Sequence, residues 1–304
     1  MSILGIEGAT NFTDTMVGDP DNNYGTGIGK IILKSVTVPN GSDNAQCILG
    51  PSPCLAAGDL LFANIPEAGA NARHVRSVTR ISDTTATVRL DGDPGSGDAE
   101  VDILCIGPST KTTDTFDLSA YSNIKVGVKD GDASMTKQIS FAKGDIVNTA
   151  TTDVVALAGI TTAAYAFAQS NEVASVPASH VQELVVAAGQ VTVTASEDPG
   201  SNGMDISVLA IELETDRATG LTGILADTTC GTALTEIMIG TGTVAGATVA
   251  VSMPGLTTSH KCFVGHASAD DTVQKVVPTA DTATVTFAAS AAGAVWVLAL
   301  KELT

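Results

Sequence analysis

Apolar and polar residues alternate with a period of two in three short stretches of the chain: TATVRL (Thr85–Leu90), QVTVTA (Gln190–Ala195) and TATVTF (Thr282–Phe287). A period of two matches the pleat of a β-strand, whose side chains point to opposite faces in turn. Val takes the inner positions and Thr the outer ones, as on a half-buried sheet with one wet face, which is the antiparallel arrangement. Turn-forming clusters punctuate the pattern at short intervals: PNGSDN, GDPGSGD, KDGD, EDPGSNG and MPG. Strands of five to seven residues between such turns predict sandwiches or barrels. The Ala-rich pieces TTAAYAFAQ and TFAASAAGAV sit inside this pattern between Thr and Gly and read as strand and turn. GITTAAYAF is the one place where a helical turn is an alternative.

The pattern occurs three times. A short apolar strand ending in Phe (LLFANI, YAFAQS, KCFVGH) aligns Phe62, Phe167 and Phe263. In the second and third copies it follows a G-[IL]-T-T turn, Gly159–Thr162 and Gly255–Thr258. Next come HVRSVTRI, HVQELVV and TVQKVV, aligning Val75, Val181 and Val273, and then the alternating strands, aligning Val88, Val193 and Val285. A closing strand (DILCIG, SVLAIEL, WVLALKEL) aligns Leu104, Leu209 and Leu298. The gaps agree: 16 residues from Val88 to Leu104, 16 from Val193 to Leu209 and 13 from Val285 to Leu298. In the third copy a bare ASAAG turn is expected where the others carry DPGSGD and DPGSNGMD. Four landmarks in one order at a domain-sized period indicate duplication rather than a solenoid. The expected fold is all-β: three tandem antiparallel β-sandwich domains, Ig-like or jelly-roll-like, over 30–111, 112–216 and 217–304, behind an N-terminal arm over 1–29. Polar linkers are expected at Lys111–Thr115 and Asp216–Thr222.

Composition narrows the partners. Fifteen basic against thirty-three acidic residues give a net charge of −18. Such a field repels phosphate backbones and anionic lipid, so neither nucleic acid nor membrane is an expected partner. The opening MSILGIEGATNFTD has no basic segment followed by an apolar run, so no export signal is expected, and the chain is expected to fold in a cytoplasm. Five cysteines are too scattered for a disulfide framework. Cys47 and Cys54 are the one pair spaced to close a small loop, and Cys105 lies in an apolar run.

Candidate chemistry is sparse. No G-x-S-x-G elbow accompanies the four histidines, and His74 and His180 share one repeat position, which suits a structural role. GTGIGK at Gly25–Lys30 lacks the phosphate-loop pattern and runs into a strand-like segment. Cys230 and Cys262 lack metal-type spacing with His260 or His266; a site of Cys262, His260 and His266 is an alternative, but an outward polar position on an alternating strand accounts for His260 without a metal. Two acidic loops remain: Asp91, Asp93 and Asp98, and their counterparts Glu197, Asp198 and Asp205. Several loop oxygens can hold Ca²⁺, which makes Asp93, Asp98, Asp198 and Asp205 the candidate ligands. The same Asp-Pro-Gly chemistry makes good turns without metal, and turn formation is the expected role. With one Trp and three Tyr, a carboxylate pair among aromatic sugar platforms is not expected. Trp296 falls on an apolar strand and reads as core. No catalytic residue, cofactor or enzymatic activity is expected.

The segments TVAVSMPGLTTSHKCFVGHAS…TATVTFAASAAGAVWVLAL and DVVALAGITTAAYAF…QVTVTASEDPG…ISVLAIEL resemble the Ig-like or jelly-roll-like repeats in structural proteins of tailed bacteriophages. The similarity spans residues 145–304 and, more weakly, 30–107, and carries over no functional residue. It implies a virion component: a capsid decoration or head-appendage protein that self-associates into a homo-oligomer and packs on other virion proteins such as a major capsid protein. The arm or edge strands would make those contacts. The alternative is a tail-associated or fibre protein that binds a host-surface glycan or receptor.

Overall fold

The computed structural model describes residues 28–50, 52, 54–67, 69–108, 136–157, 160–171, 179–213, 217–219, 234–267 and 272–302. The expected arm up to residue 27, the linker at Lys111–Thr115 and Cys230 lie outside these residues. The chain is all-β. Among the described residues there is no helix, so none is long and apolar enough to cross a membrane. Every strand pairing is antiparallel.

The first copy contributes β1 (Ile28–Val38), β2 (Asn44–Ile48), β3 (Leu60–Glu67), β4 (Val75–Arg80), β5 (Thr85–Leu90) and β6 (Ala99–Pro108). They form two small sheets, ordered β1-β6-β3 and β2-β5-β4. The second copy contributes β7 (Thr136–Ile146), β8 (Thr152–Ala156), β9 (Tyr165–Ser170), β10 (Val181–Ala187), β11 (Gln190–Ala195) and β12 (Met204–Leu213). Its sheets repeat the order, β7-β12-β9 and β10-β11-β8. The third copy has β13 (Arg217–Thr219), β14 (Leu234–Ser252), β15 (Lys261–His266), β16 (Val273–Thr279) and β17 (Thr282–Glu302).

The aligned landmarks coincide in register. Leu104 of β6 sits between Leu33 and Phe62, Leu209 of β12 between Phe141 and Phe167, and Leu298 of β17 between Ile239 and Phe263. In the second sheets Val88 opposes Val78, Val193 opposes Leu184, and Val285 opposes Val276. Since a one-residue slip would turn every side chain to the opposite face, a register kept three times means one burial plan used three times.

Two expectations require correction. The ASAAG segment is not a turn: Ala291, Ala292 and Gly293 stay in β17, opposite Gly246, Ala245 and Val244. β14 and β17 therefore run unbroken through both layers of the third unit. The ribbon bends where Gly246 and Gly293 take φ of 154° and 143°, next to a register shift at Gly246/Thr248. Glycine permits that backbone, and the small neighbours leave room for the bend. The second correction concerns Asp216–Thr222, which is not simply a linker, because Arg217–Thr219 form β13 and pair with Glu236–Met238. The helical alternative for GITTAAYAF does not occur either: a turn at 162–163 leads into β9.

The closing strands are buried on both faces. In β6, Val101, Ile103 and Cys105 point into the first unit's own core, while Leu104 and Ile106 point out of it. In β17, Val295, Val297 and Ala299 line the third unit's core, while Trp296, Leu298 and Leu300 leave it. The outward-pointing sets do not meet water. With Leu33, Phe62, Phe141, Phe167, Ile239 and Phe263 they form one apolar core shared by all three units. This is why the closing strands read as continuous apolar runs rather than alternating ones.

Candidate functional site

The three units close head to tail. β4 of the first lies against β9 of the second, β10 of the second against β15 of the third, and β16 of the third against β3 of the first. β3, β9 and β15 also touch one another, giving a cyclic, pseudo-threefold centre. Phe62, Phe167 and Phe263 meet there, each at most 3% exposed. They border a central cavity of about 70 Å³ that Asn64, Gln169 and His266 also line. The residues just before β4, β10 and β16 converge as well: the His74 and His180 rings lie 4.3 Å apart at 49°, and His180 Nε2 is 2.7 Å from the Thr272 hydroxyl. Ser196 Oγ holds His180 Nδ1 at 3.1 Å, and Asp91 lies 3.4 Å from His74 Nδ1. Burial pushes the His74 imidazole below its ordinary value of 6.5, with the Asp91 carboxylate opposing and Arg73 and Arg76 reinforcing. The repeat position that suggested a structural role is thus the point where units join.

Each seam is stitched from one repeat position, two residues before Leu104, Leu209 and Leu298. In the first unit it is Asp102, which binds Lys261 of the third at 3.0 Å while accepting the Ser35 hydroxyl at 2.6 Å. In the second it is Ser207, which donates to Asn171 Oδ1. Asn171 in turn donates to the Leu61 and Val78 carbonyls of the first unit, both at 3.0 Å. In the third it is Trp296, whose indole N–H donates to the Ala166 carbonyl of the second. Trp296 is core, as expected, but it belongs to the shared core rather than to its own sandwich. Gly265 makes its approach possible: a Cβ there would lie 2.1 Å from the Ala166 oxygen and from Trp296 Nε1.

The acidic loops act as clamps. Asp93 Oδ1 accepts the Gly95 and Gly41 N–H groups at 2.8 and 2.9 Å, joining its own turn to the β1–β2 turn. These two bonds, Gly95 first, hold the Asp93 carboxyl below its ordinary value. Asp198 repeats the arrangement with Gly200 and Thr149 at 2.9 and 3.0 Å. Asp98 accepts the Asn40 N–H at 2.9 Å, and Asp91 accepts the His74 N–H at 3.0 Å. Asp205 is not on the Asp198 loop but within β12, opposite Asp145. Among the described residues no three His, Cys, Asp or Glu side chains are grouped to hold a metal ion.

The thiols are equally committed. Cys47, Cys105 and Cys262 are buried and outside any disulfide, so Cys47 and Cys54 do not pair, although Cys54 is disulfide-bonded. Burial pushes the Cys262 thiol far above its usual range, and the Cys47 thiol upward too against Lys34 and Lys261. Neither suits a nucleophile, which needs the thiolate. His260 Nδ1 lies 3.0 Å from the Thr257 hydroxyl, and His266 meets Phe287 edge-on. The seam residues Asp102, Lys261, Ser207 and Asn171 went unnoticed in the sequence. The available signal was the Asp inside the apolar run VDILCIG, at the position that reads Trp in the third copy. The chain matches no known protein family model, no curated protein and no solved structure.

Proposed function

We propose that the chain is a non-enzymatic structural subunit of a virus particle, a capsid decoration or head-appendage protein of a tailed bacteriophage acting through inter-subunit packing. The observation that carries this reading is the shared core around Phe62, Phe167 and Phe263. One chain assembles three copies of a module into a closed ring and buries the contacts that separate subunits of a trimer would make. The product is a rigid, pseudo-threefold block, and such a block fits a site of local threefold symmetry on a shell. Its titratable groups give further support: the central histidines, the loop aspartates and the thiols have structural partners or are buried. The acidic, aromatic-poor exterior suits crowded display, since like charge keeps closely spaced copies apart and soluble. In this reading the virion is the site of action. Further self-association and attachment to a major capsid protein then fall to the outward-facing sheets, whose edges β2 and β8 are short.

The test is direct. Purified particles are analysed by quantitative mass spectrometry, and isolated shells are titrated with the purified chain. Retention on the particle at one chain per threefold site is the expected result. Absence from particles together with no binding to shells refutes the proposal.

A further inference from the structure

The seam between the first and second units carries an open groove of about 300 Å³, lined by Asp59, Leu61, Arg80, Lys143, Asn171 and Asp205 among others. We infer that this groove is a binding site for a ligand that carries a carboxylate beside hydroxyl groups, the chemistry of an acidic sugar.

The groups in the groove differ in how far they are occupied. Arg80 donates from Nη2 to the Leu55 carbonyl of its own unit at 3.3 Å, and Lys143 donates across the seam to the Ala57 carbonyl. Each retains N–H groups that meet no acceptor among the described residues. The Asp205 carboxylate likewise accepts nothing among them. Asp59 is committed to its loop, taking the Ala56 N–H at 2.7 Å. Asn171 forms a fixed floor, with both its amide nitrogen and its oxygen engaged. Two cations therefore face the space with bonding capacity to spare, beside the Asp205 and Asp59 carboxylates, in a chain of net charge −18.

The second–third seam shows that this pair of cations is not required to join units. Register places Val186 and Pro278 at the position of Arg80, and Ser35 and Thr241 at that of Lys143. Glu100 and Ala294 stand at the position of Asp205. The second–third seam thus closes with Val186, Thr241 and Ala294 where this one has Arg80, Lys143 and Asp205. The second–third seam closes without these charges, and a single hydrogen bond, from Lys143 to the Ala57 carbonyl, ties one of them across the first–second seam, so closure leaves most of their bonding capacity unused.

The donor set selects the ligand. A guanidinium fork matches a carboxylate through two parallel bonds, and the Lys143 ammonium adds a second positive group. Asp205 accepts hydroxyl protons but repels a second negative charge, which disfavours phosphate. Among the described residues no aromatic ring lines the groove, and recognition there rests on charge-assisted bonds rather than ring stacking. A volume of about 300 Å³ is at the lower end for small-ligand sites and suits one or two sugar rings. This site does not depend on where in a particle the subunit sits.

The test titrates the intact chain with D-glucuronate and with N-acetylneuraminate by calorimetry and by NMR shifts. D-glucose supplies hydroxyls without a carboxylate, acetate a carboxylate without hydroxyls, and inorganic phosphate a competing anion. Saturable binding of at least one acidic sugar is expected, about tenfold or more tighter than glucose, acetate or phosphate. Arg80→Val and Lys143→Thr install the side chains of the second–third seam and should keep the thermal midpoint while weakening binding about tenfold each. Asp205→Asn should bring the acidic sugar close to the acetate level. Absence of saturable binding overturns the inference. So does a Kd unchanged in both cation variants that remain folded, or acetate or phosphate binding as tightly as the acidic sugars.

Discussion

Lys261→Met tests the claim that one ion pair holds the ring closed between its first and last units. The pair joins residues 159 positions apart, with Lys261 Nζ 3.0 Å from Asp102 Oδ1. The Asp102 side chain is 6% exposed and that of Lys261 21%. Removing the ammonium leaves a buried carboxylate with the Ser35 hydroxyl as its remaining partner across the strand pair. An uncompensated buried charge costs about 3–5 kcal/mol. Water reaches the lysine end, so the expected loss is nearer 2–3 kcal/mol. At about 2 °C per kcal/mol for a chain of this size, the midpoint should fall by about 5 °C. Asp102→Leu combined with Lys261→Met replaces the pair by apolar groups, as Trp296 does at the same position of the third copy. That double variant should recover most of the loss, because an ion pair and a well-packed apolar pair are close in net stability. Urea unfolding of the wild type, both single variants and the double gives the coupling energy. A cost below about 0.5 kcal/mol for Lys261→Met, or a double variant no more stable than the worse single, refutes the reasoning.

Three other outcomes follow from the geometry. The folded pKa of His74 lies below the unfolded one, so stability is full above about pH 6.5 and declines as acid protonates the unfolded ring first. Urea midpoints between pH 7.5 and 5 should show this decline, and His74→Gln should reduce it. Gly265→Ala places a methyl 2.1 Å from a backbone oxygen and should cost about 2 kcal/mol or more, whereas Gly97→Ala, with φ of 78° and open space around its Cβ, should cost about 1 kcal/mol by thermal melts. The Asp93 and Asp198 carboxylates already accept backbone N–H groups, so neither Ca²⁺ nor EDTA should move the thermal midpoint by more than about 1 °C in calorimetry.

The strands and their triplication were legible because both signals are local. Val–Thr alternation reports the pleat residue by residue, and the landmarks Phe62, Val88 and Leu104 recur with the same register in every copy. The third copy departs at Ala289–Gly293, where small residues serve a turn and a bent ribbon equally well. Only pairing with Val244–Gly246 decides between them. A strand's period likewise marks a buried face without naming what buries it. Leu104, Leu209 and Leu298 were recognisable as apolar, but nothing local distinguishes a face turned to its own sandwich from one turned to the next unit.

What the amino-acid order determined by itself is therefore the module: its strands, its turns and its use three times. What the tertiary structure alone decided is the ring, with its shared phenylalanine core, its histidine junction and a charged groove that joins Arg80 to Asp205 across 125 positions. The physical reason is range. Pleat and turn preferences act over a few residues, whereas unit-to-unit contact depends on shape and charge matching between surfaces that fold separately in the sequence and meet only once the chain has closed on itself.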